Sequence, residues 1–164
     1  MPIQYLEAQP PDYHAIAEIY NEHIALHQST MDEHHYMAGD IKTWIRRFNT
    51  REKLYVIHLD HTIIGWGIIK RYSDRLGYRY AAETAIYLRE KHTGQGHGSR
   101  FKKFVIEQAK NLQYHHLVAK IFASNRRSID YNLSLGYTIV GIQKEIGFKN
   151  GQWQDICIMQ LLLN

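Results

Sequence analysis

The residues with the clearest chemical potential are three glycines that alternate at positions 94, 96 and 98. They stand in the stretch Thr93-Gly94-Gln95-Gly96-His97-Gly98-Ser99, between a predicted strand and a predicted helix. Glycine adopts positive φ and lets backbone approach a ligand closely, and the N–H groups at a helix start bind anions. By itself the spacing in this loop is equally compatible with a pyrophosphate site and with a merely flexible connection. Its spacing is not the dinucleotide pattern, because Ser99 occupies the position of the third glycine, and no Gly-Lys-Ser/Thr of a P-loop follows.

A second chemical feature is the loop 71–80, which carries Arg71, Arg75 and Arg79. A guanidinium holds a carboxylate through two parallel hydrogen bonds. The loop therefore favours an anionic ligand, although a solvated basic loop explains any single arginine equally well.

Metal and thiol chemistry are not favoured by the sequence. The adjacent pairs His34-His35 and His115-His116 lack the i, i+4 spacing by which two imidazoles on one helix share a metal, so we expect no metal site. The single cysteine, Cys157, alternates with Ile156 and Ile158 and is expected in the core. One cysteine permits no internal disulfide, which favours a cytoplasmic location.

The elements that must position these residues alternate between strand and helix. Periodicity and turn residues predict strands over 3–6, 54–59, 62–70, 81–88, 116–123, 138–148 and 153–162, and helices over 16–24, 41–48, 101–112 and 125–135. Asp40 is expected to cap the second helix, and Asn150-Gly151 predicts a tight hairpin. Trp153, Tyr87 and Tyr137 are expected in the core, and Lys102-Lys103 on a solvated helix face. The pattern is that of a mixed α/β sheet with helices on it.

Composition excludes several classes of protein. The chain has 164 residues, 45% of them hydrophobic and 22% charged, which is ordinary for one globular domain. No apolar run approaches the about 18 residues of a membrane span. The net charge of +4 includes no dense basic run, so nucleic acid is not an expected partner.

At this level of detail the sequence resembles the GNAT N-acetyltransferases, and more narrowly their phosphinothricin/methionine sulfoximine group. Residues 83–88 followed by the glycine loop resemble the acetyl-CoA core of the superfamily. The group is suggested by Tyr78-Arg79 ahead of Glu83 and by the tail Gly147-Phe148-Lys149-Asn150-Gly151-Gln152-Trp153-Gln154-Asp155. The resemblance implies one GNAT domain over 1–164, with a mixed, mostly antiparallel sheet, helices on both faces and a splayed strand pair that admits acetyl-CoA.

The resemblance also implies which residues act. Glu83 would take the proton from the attacking amine. The cofactor would contact Ile86, Tyr87, Leu88, Gly94, Gln95, Gly96, His97, Gly98, Ser99, Asn125, Ser128 and Ser134. The acceptor pocket would include Arg75, Leu76, Gly77, Ala85 and Arg79, with Met31 in its wall. A homodimer is the implied assembly.

Two departures from the family pattern affect the expected chemistry. Thr93 replaces a longer side chain, so the grip on phosphate passes to backbone, Lys91 or Arg100. Asn132 stands where the family commonly has a proton donor to the leaving thiolate, which leaves unassisted departure or Tyr131 as alternatives.

The implied reaction is acetyl transfer to the α-amine of a small amino acid or analogue by direct attack. An enzyme for a polyamine, an aminoglycoside or a protein N-terminus, and a non-catalytic acyl-CoA sensor, are the alternatives.

Overall fold

The computed structural model describes residues 2–26 and 29–164. The strands are β1 (Ile3–Glu7), β2 (Lys53–Leu59), β3 (Thr62–Arg71), β4 (Ala81–Leu88), β5 (His116–Phe122), β6 (Thr138–Lys149) and β7 (Gln152–Leu162). The α-helices are α1 (Tyr13–Ala25), α2 (Ala38–Arg46), α3 (His97–Asn111) and α4 (Arg126–Ser134). None of the helices in these two ranges is long and apolar enough to cross a membrane.

The seven strands form one sheet in the order β1-β2-β3-β4-β5-β7-β6. Neighbours run antiparallel except for the parallel pair β4 and β5. Two tight turns close hairpins with consecutive positive φ angles, 49° and 68° at Asp60 and His61, and 54° and 73° at Asn150 and Gly151. This backbone twist matches that of the strands it joins, which confirms the predicted Asn-Gly hairpin.

Helices cover both faces of the sheet, as predicted. On one face, α1 and α2 bury Ile16 and Ile41 against Trp66. On the other face, α3 packs Phe101 and Val105 into a second cluster that also contains Cys157 and Met159. The predicted core position of Cys157 is thereby confirmed. The packing is close, because a Cβ added at Gly67 would lie 3.2 Å from Val105 and 3.3 Å from Phe101.

The parallel pair separates early, and this opens the fold. β4 and β5 pair only at Ala81 with His116, Ala82 with Leu117, and Glu83 with Val118. Each strand continues, β4 to Leu88 and β5 to Phe122, without further pairing between them. The predicted splayed strand pair is therefore confirmed, and Glu83 occupies its last paired position.

Three local predictions were wrong. Helix α2 begins at Ala38, so Asp40 is its third residue, and its Oδ2 accepts a hydrogen bond from the Met37 N–H at 2.7 Å. Trp153 is 63% exposed and meets Phe148 edge-on across the hairpin. Lys102 is fully buried, because it lies on the same helix face as Val105 and Ala109.

Candidate active site

A groove of about 390 Å³ follows the gap between β4 and β5. Gly94, Gly96 and Ser99 line one end of the groove, and Asn132 of α4 lines its opposite wall. Of the predicted cofactor-binding residues, the following line it: Ile86, Tyr87, Leu88, Gly94, Gly96, Gly98, Ser99, Asn125 and Ser128. The divergence of the strands thus brings together residues that lie more than 40 positions apart.

The glycine loop forms one end of the groove. Gly94 and Gly96 adopt φ of 74° and 82°, a region that disfavours residues with a Cβ, and Gly96 immediately precedes α3. The hydroxyl of Thr93 donates to the Glu90 carbonyl at 2.7 Å, so this short side chain is engaged in the turn before the loop. Arg127 lines the groove as an exposed cation that the sequence prediction missed, because only the fold brings the start of α4 opposite the loop.

Three predicted cofactor residues lie outside the lining. Gln95 hydrogen-bonds the Lys91 carbonyl through its side chain, and Ser134 is exposed and donates to the Tyr131 carbonyl at 2.6 Å. His97 begins α3 with a buried Nδ1 that has no partner among the described residues. Their contact with the cofactor stays a prediction.

Helix α4 contributes polar atoms to the opposite wall. The Oδ1 atom of Asn125 accepts from the Ser128 N–H at 3.2 Å and so caps the helix. Asn132 donates through Nδ2 to the Ser128 carbonyl at 2.8 Å, while its buried Oδ1 has no partner within the described part of the chain. A buried unpaired acceptor costs about 1–3 kcal/mol. An N–H of a ligand in the groove would satisfy it.

Glu83 lies where the strands diverge, with its side chain 19% exposed. Its Oε2 is 3.3 Å from Nζ of Lys120 on β5 and 3.8 Å from Nζ of Lys70 on β3. Its neighbours along the chain, Ala82 and Ala85, give no sign of these charges, yet two cations flank the carboxylate. The pairing register explains the difference, because Lys70 sits directly across from Glu83.

A second cavity, of about 320 Å³, lies on the α1 and α2 side of β4 and includes Glu83 in its wall. Its aromatic lining is Tyr20, Tyr36, Trp44, Phe48, Trp66 and Tyr87, and its charged lining is Asp32, Glu52, Glu83, Arg47, Lys70 and Arg71. Three carboxylates and three cations therefore face one small space. The cavity shares Ala85 and Tyr87 with the groove, so the two spaces meet at the same segment of β4.

The predicted acceptor loop lies elsewhere in the fold. Arg75 and Leu76 are exposed at the short 3-10 turn Leu76–Tyr78. Arg79 donates to the Leu76 carbonyl at 3.1 Å and stacks on Tyr80. None of these lines the groove or the second cavity.

Two further predicted acceptor residues lie near other parts of the sheet. Gly77 borders a third cavity of about 590 Å³ over β5 and β7, whose lining includes Val118, the cross-strand partner of Glu83, and Lys120, which pairs with its carboxylate. Met31 packs on Gly147, where an added Cβ would collide with the Cε atom of Met31. Of the predicted acceptor residues only Ala85 reaches the second cavity, and the roles of the others stay predictions.

Buried Lys102 is the site residue that the sequence prediction misplaced. Its Nζ donates to Thr84 Oγ1 at 3.0 Å and lies 5.2 Å from the centre of the Tyr137 ring, and the residue lines the groove. Tyr137 is buried as predicted, and its hydroxyl lies 3.1 Å from the same Thr84 oxygen. The spacing of Lys102 to Val105 and Ala109 already signals burial, since positions i, i+3 and i+7 share a helix face.

Comparison with known proteins agrees with this geometry. The acetyltransferase (GNAT) domain family matches residues 7–158. An L-methionine sulfoximine/L-methionine sulfone acetyltransferase of Salmonella typhimurium is 30% identical over 162 residues, covering 96% of this chain and 92% of that protein. The L-amino acid N-acyltransferase MnaT of Escherichia coli is 27% identical over 158 residues, with coverages of 96% and 92%.

A crystal structure shows the same fold with its cofactor bound. A GNAT superfamily phosphinothricin acetyltransferase from Sinorhizobium meliloti, in complex with acetyl-CoA, matches this chain with a TM-score of 0.93 at 25% identity. The match covers 100% of this chain and 90% of that one. The glycine cradle, the splayed strands and the family match lead to one conclusion: the chain belongs to the GNAT family of N-acetyltransferases, enzymes that use acetyl-CoA.

Proposed function

We propose that this enzyme acetylates the α-amine of a small amino acid or amino-acid analogue, of the methionine sulfoximine or phosphinothricin kind, by direct attack on acetyl-CoA. The observation that carries the proposal is the meeting of two spaces at Ala85 and Tyr87. One is the glycine-loop groove, and the other is a small cavity with Glu83 in its wall. An acyl donor in the gap between β4 and β5 and an acceptor on the α1 and α2 side of β4 can therefore approach the same point.

The charges of the second cavity favour a zwitterion as acceptor. Three carboxylates and three cations line it, so an ammonium and a carboxylate on one molecule both find a complement. A polyamine would meet as many cations as anions there, which disfavours it. The volume of about 320 Å³ is at the small end of ligand pockets, and its aromatic wall suits a short apolar side chain.

Glu83 is the proposed base. Its side chain forms ion pairs with Lys70 and Lys120 and reaches the cavity, where a carboxylate can accept a proton. The amine needs a free lone pair before it attacks, and a positioned base contributes about 10²–10⁴-fold. Cys157 supports direct transfer over a covalent acyl-enzyme, because its thiol is fully buried in the core.

Residues of the groove would hold acetyl-CoA, which supplies the activated acetyl group. The backbone of Gly94, Gly96 and Gly98 and the side chain of Arg127 would meet the diphosphate. Backbone groups of Ile86–Leu88 on the side that β5 has left would pair with the pantetheine arm, and one N–H there would stabilise the developing oxyanion.

A thiol-release assay with a panel of amines tests the proposal. We expect turnover with methionine sulfoximine, phosphinothricin and methionine, and products that mass spectrometry identifies as N-acetylated. Preferential turnover of spermidine, an aminoglycoside or an alanine-starting peptide would refute the acceptor class. Binding of CoA without turnover of any amine would instead support the alternative that the protein is a non-catalytic acyl-CoA sensor. The free, buried thiol of Cys157 is consistent with an enzyme that acts on its acceptor in the reducing cytosol.

We further propose that the enzyme is a homodimer formed through the β6 edge. β6 is an edge strand of the sheet that the described residues form, and Ile139, Val140, Ile142 and Ile146 on it are 44–58% exposed. Monomeric proteins rarely leave so long an apolar edge uncovered. We expect a dimer by light scattering and a monomer for Val140→Glu, whereas Leu6→Glu, at another exposed apolar position on the opposite edge of the sheet, stays dimeric. A monomeric wild type would refute this.

A further inference from the structure

The groove leaves one proton of acetyl transfer without an evident donor. When the C–S bond breaks, the electron pair goes to sulfur, and the thiolate then needs a proton. Asn132 offers only a carboxamide, which does not ionise near neutral pH. Its Nδ2 is moreover engaged with the Ser128 carbonyl.

Lys102 is placed to supply that proton. It projects from α3 into the groove with 2% of its surface exposed, and it donates to the hydroxyl of Thr84. Thr84 is the first residue of β4 beyond the last pair with β5. An ammonium has three protons. Thr84 takes one, and the face of the Tyr137 ring accepts at most one more among the described residues, so a third stays available to a group in the groove.

We propose that Lys102 is the proton donor to the CoA thiolate, an assignment that rests on the acetyl transfer proposed above. As the amine nitrogen bonds to the acetyl carbon and the C–S bond breaks, sulfur receives the electron pair together with a proton from the Lys102 ammonium. The products are the amide, CoA thiol and a neutral Lys102. The proton that Glu83 took from the amine goes to solvent, and solvent reprotonates Lys102 for the next cycle.

The electrostatic setting suits this role. Burial lowers the pKa of Lys102 to about 7, and the charge of Glu83 opposes that fall. A donor whose pKa lies near the working pH both holds and releases its proton readily. The other titratable and charged groups that line the groove are His23 on α1, Tyr87 on β4, Glu90 before the glycine loop, Lys120 on β5, and Arg127 and Tyr131 on α4, with Tyr137 after α4 near the Lys102 Nζ. Burial raises the pKa of Tyr131, which makes it a weaker acid than Lys102.

Kinetics of matched variants test the assignment. We expect Lys102→Met to lower kcat at least tenfold at neutral pH and to abolish the alkaline fall of kcat that the wild type shows as Lys102 loses its proton. Lys103, the exposed neighbour of Lys102, provides the control: we expect Lys103→Met to leave both kcat and its alkaline fall unchanged. Lys102→Arg keeps the charge but releases no proton near neutrality, so it stays as slow as Lys102→Met. A kcat within twofold of wild type in Lys102→Met or Lys102→Arg overturns the proposal, as does a loss confined to Tyr131→Phe.

A binding measurement separates this proposal from the proposed function. The ammonium of Lys102 beside sulfur favours the thiolate of bound CoA. Because Lys102 and the CoA thiol ionise as a coupled pair, we expect part of the ultraviolet absorbance of the thiolate to appear already near pH 7 for CoA bound to wild type, and none of it there for CoA bound to Lys102→Met. Equal titrations overturn the role of Lys102. A wild type that shows this absorbance but acetylates no amine refutes only the proposed acceptor.

Discussion

Lys149, the last residue of β6, holds the chain after α1 in place through its buried ammonium. The side chain is 1% exposed, and Nζ donates to the carbonyls of Ile24, Leu26 and Thr30 at 3.2, 3.3 and 2.6 Å. Burial lowers the pKa of Lys149. Because Leu26 and Ser29 line the cofactor groove, this contact joins the hairpin to the active site.

The substitution Lys149→Met keeps the length of the side chain and removes all three hydrogen bonds. Each bond from a charged donor contributes about 1.5–3 kcal/mol. Relief of the desolvation cost of a buried cation, several kcal/mol, offsets part of that loss. We therefore expect the free energy of unfolding to fall by about 2–4 kcal/mol, and Tm by about 5–15 °C for a chain of this size.

Urea denaturation followed by tryptophan fluorescence measures the effect, with Lys144→Met as the control. Lys144 lies on the same strand, but it is exposed and pairs with Asp155 at 3.1 Å on the surface, so its loss costs less than about 1 kcal/mol. We also expect a higher KM for acetyl-CoA in Lys149→Met alone. Equal stabilities for the two variants would refute the reasoning.

Three further predictions concern the site. Glu83→Gln keeps the shape but not the base, so kcat should fall at least tenfold at neutral pH while acetyl-CoA affinity, by calorimetry, stays within threefold; an unchanged kcat removes Glu83 from the mechanism. Gly96→Ala places a Cβ at φ of 82° and 3.4 Å from the Arg100 guanidinium, so KM for acetyl-CoA should rise about tenfold, and an unaltered KM would argue against the cradle. Folded Lys102 has a pKa of about 7, so between pH 7 and 9 it has released a proton that the unfolded chain still holds. The free energy of unfolding should therefore rise by about 2 kcal/mol from pH 7 to pH 9, relative to the change in Lys102→Met. Urea denaturation of both proteins at pH 7 and at pH 9 measures the difference. An equal change in the free energy of unfolding for wild type and Lys102→Met would contradict the lowered pKa of Lys102.

Much of the fold could be predicted because its signals are local. Alternating side chains set the strands, and Asn150-Gly151 has the φ preference that closes the β6–β7 turn. The glycines at 94 and 96 adopt the positive φ that their residue type permits. Helix ends were less predictable, and Asp40 illustrates why: a carboxylate serves a helix start equally from the capping position or from the third residue, here through the Met37 N–H.

The sequence by itself determined the family, the glycine cradle and the alternation of strands and helices, because each depends on residues close together along the chain. Only the tertiary structure decided where β4 and β5 part, which lysines flank Glu83, and that Lys102 and Lys149 are buried. The physical reason is that a charged side chain takes its properties from distant segments packed around it. Thr84 and Tyr137 surround Lys102, and carbonyls at the end of α1 and beyond it surround Lys149, although more than 100 residues separate them from it along the chain.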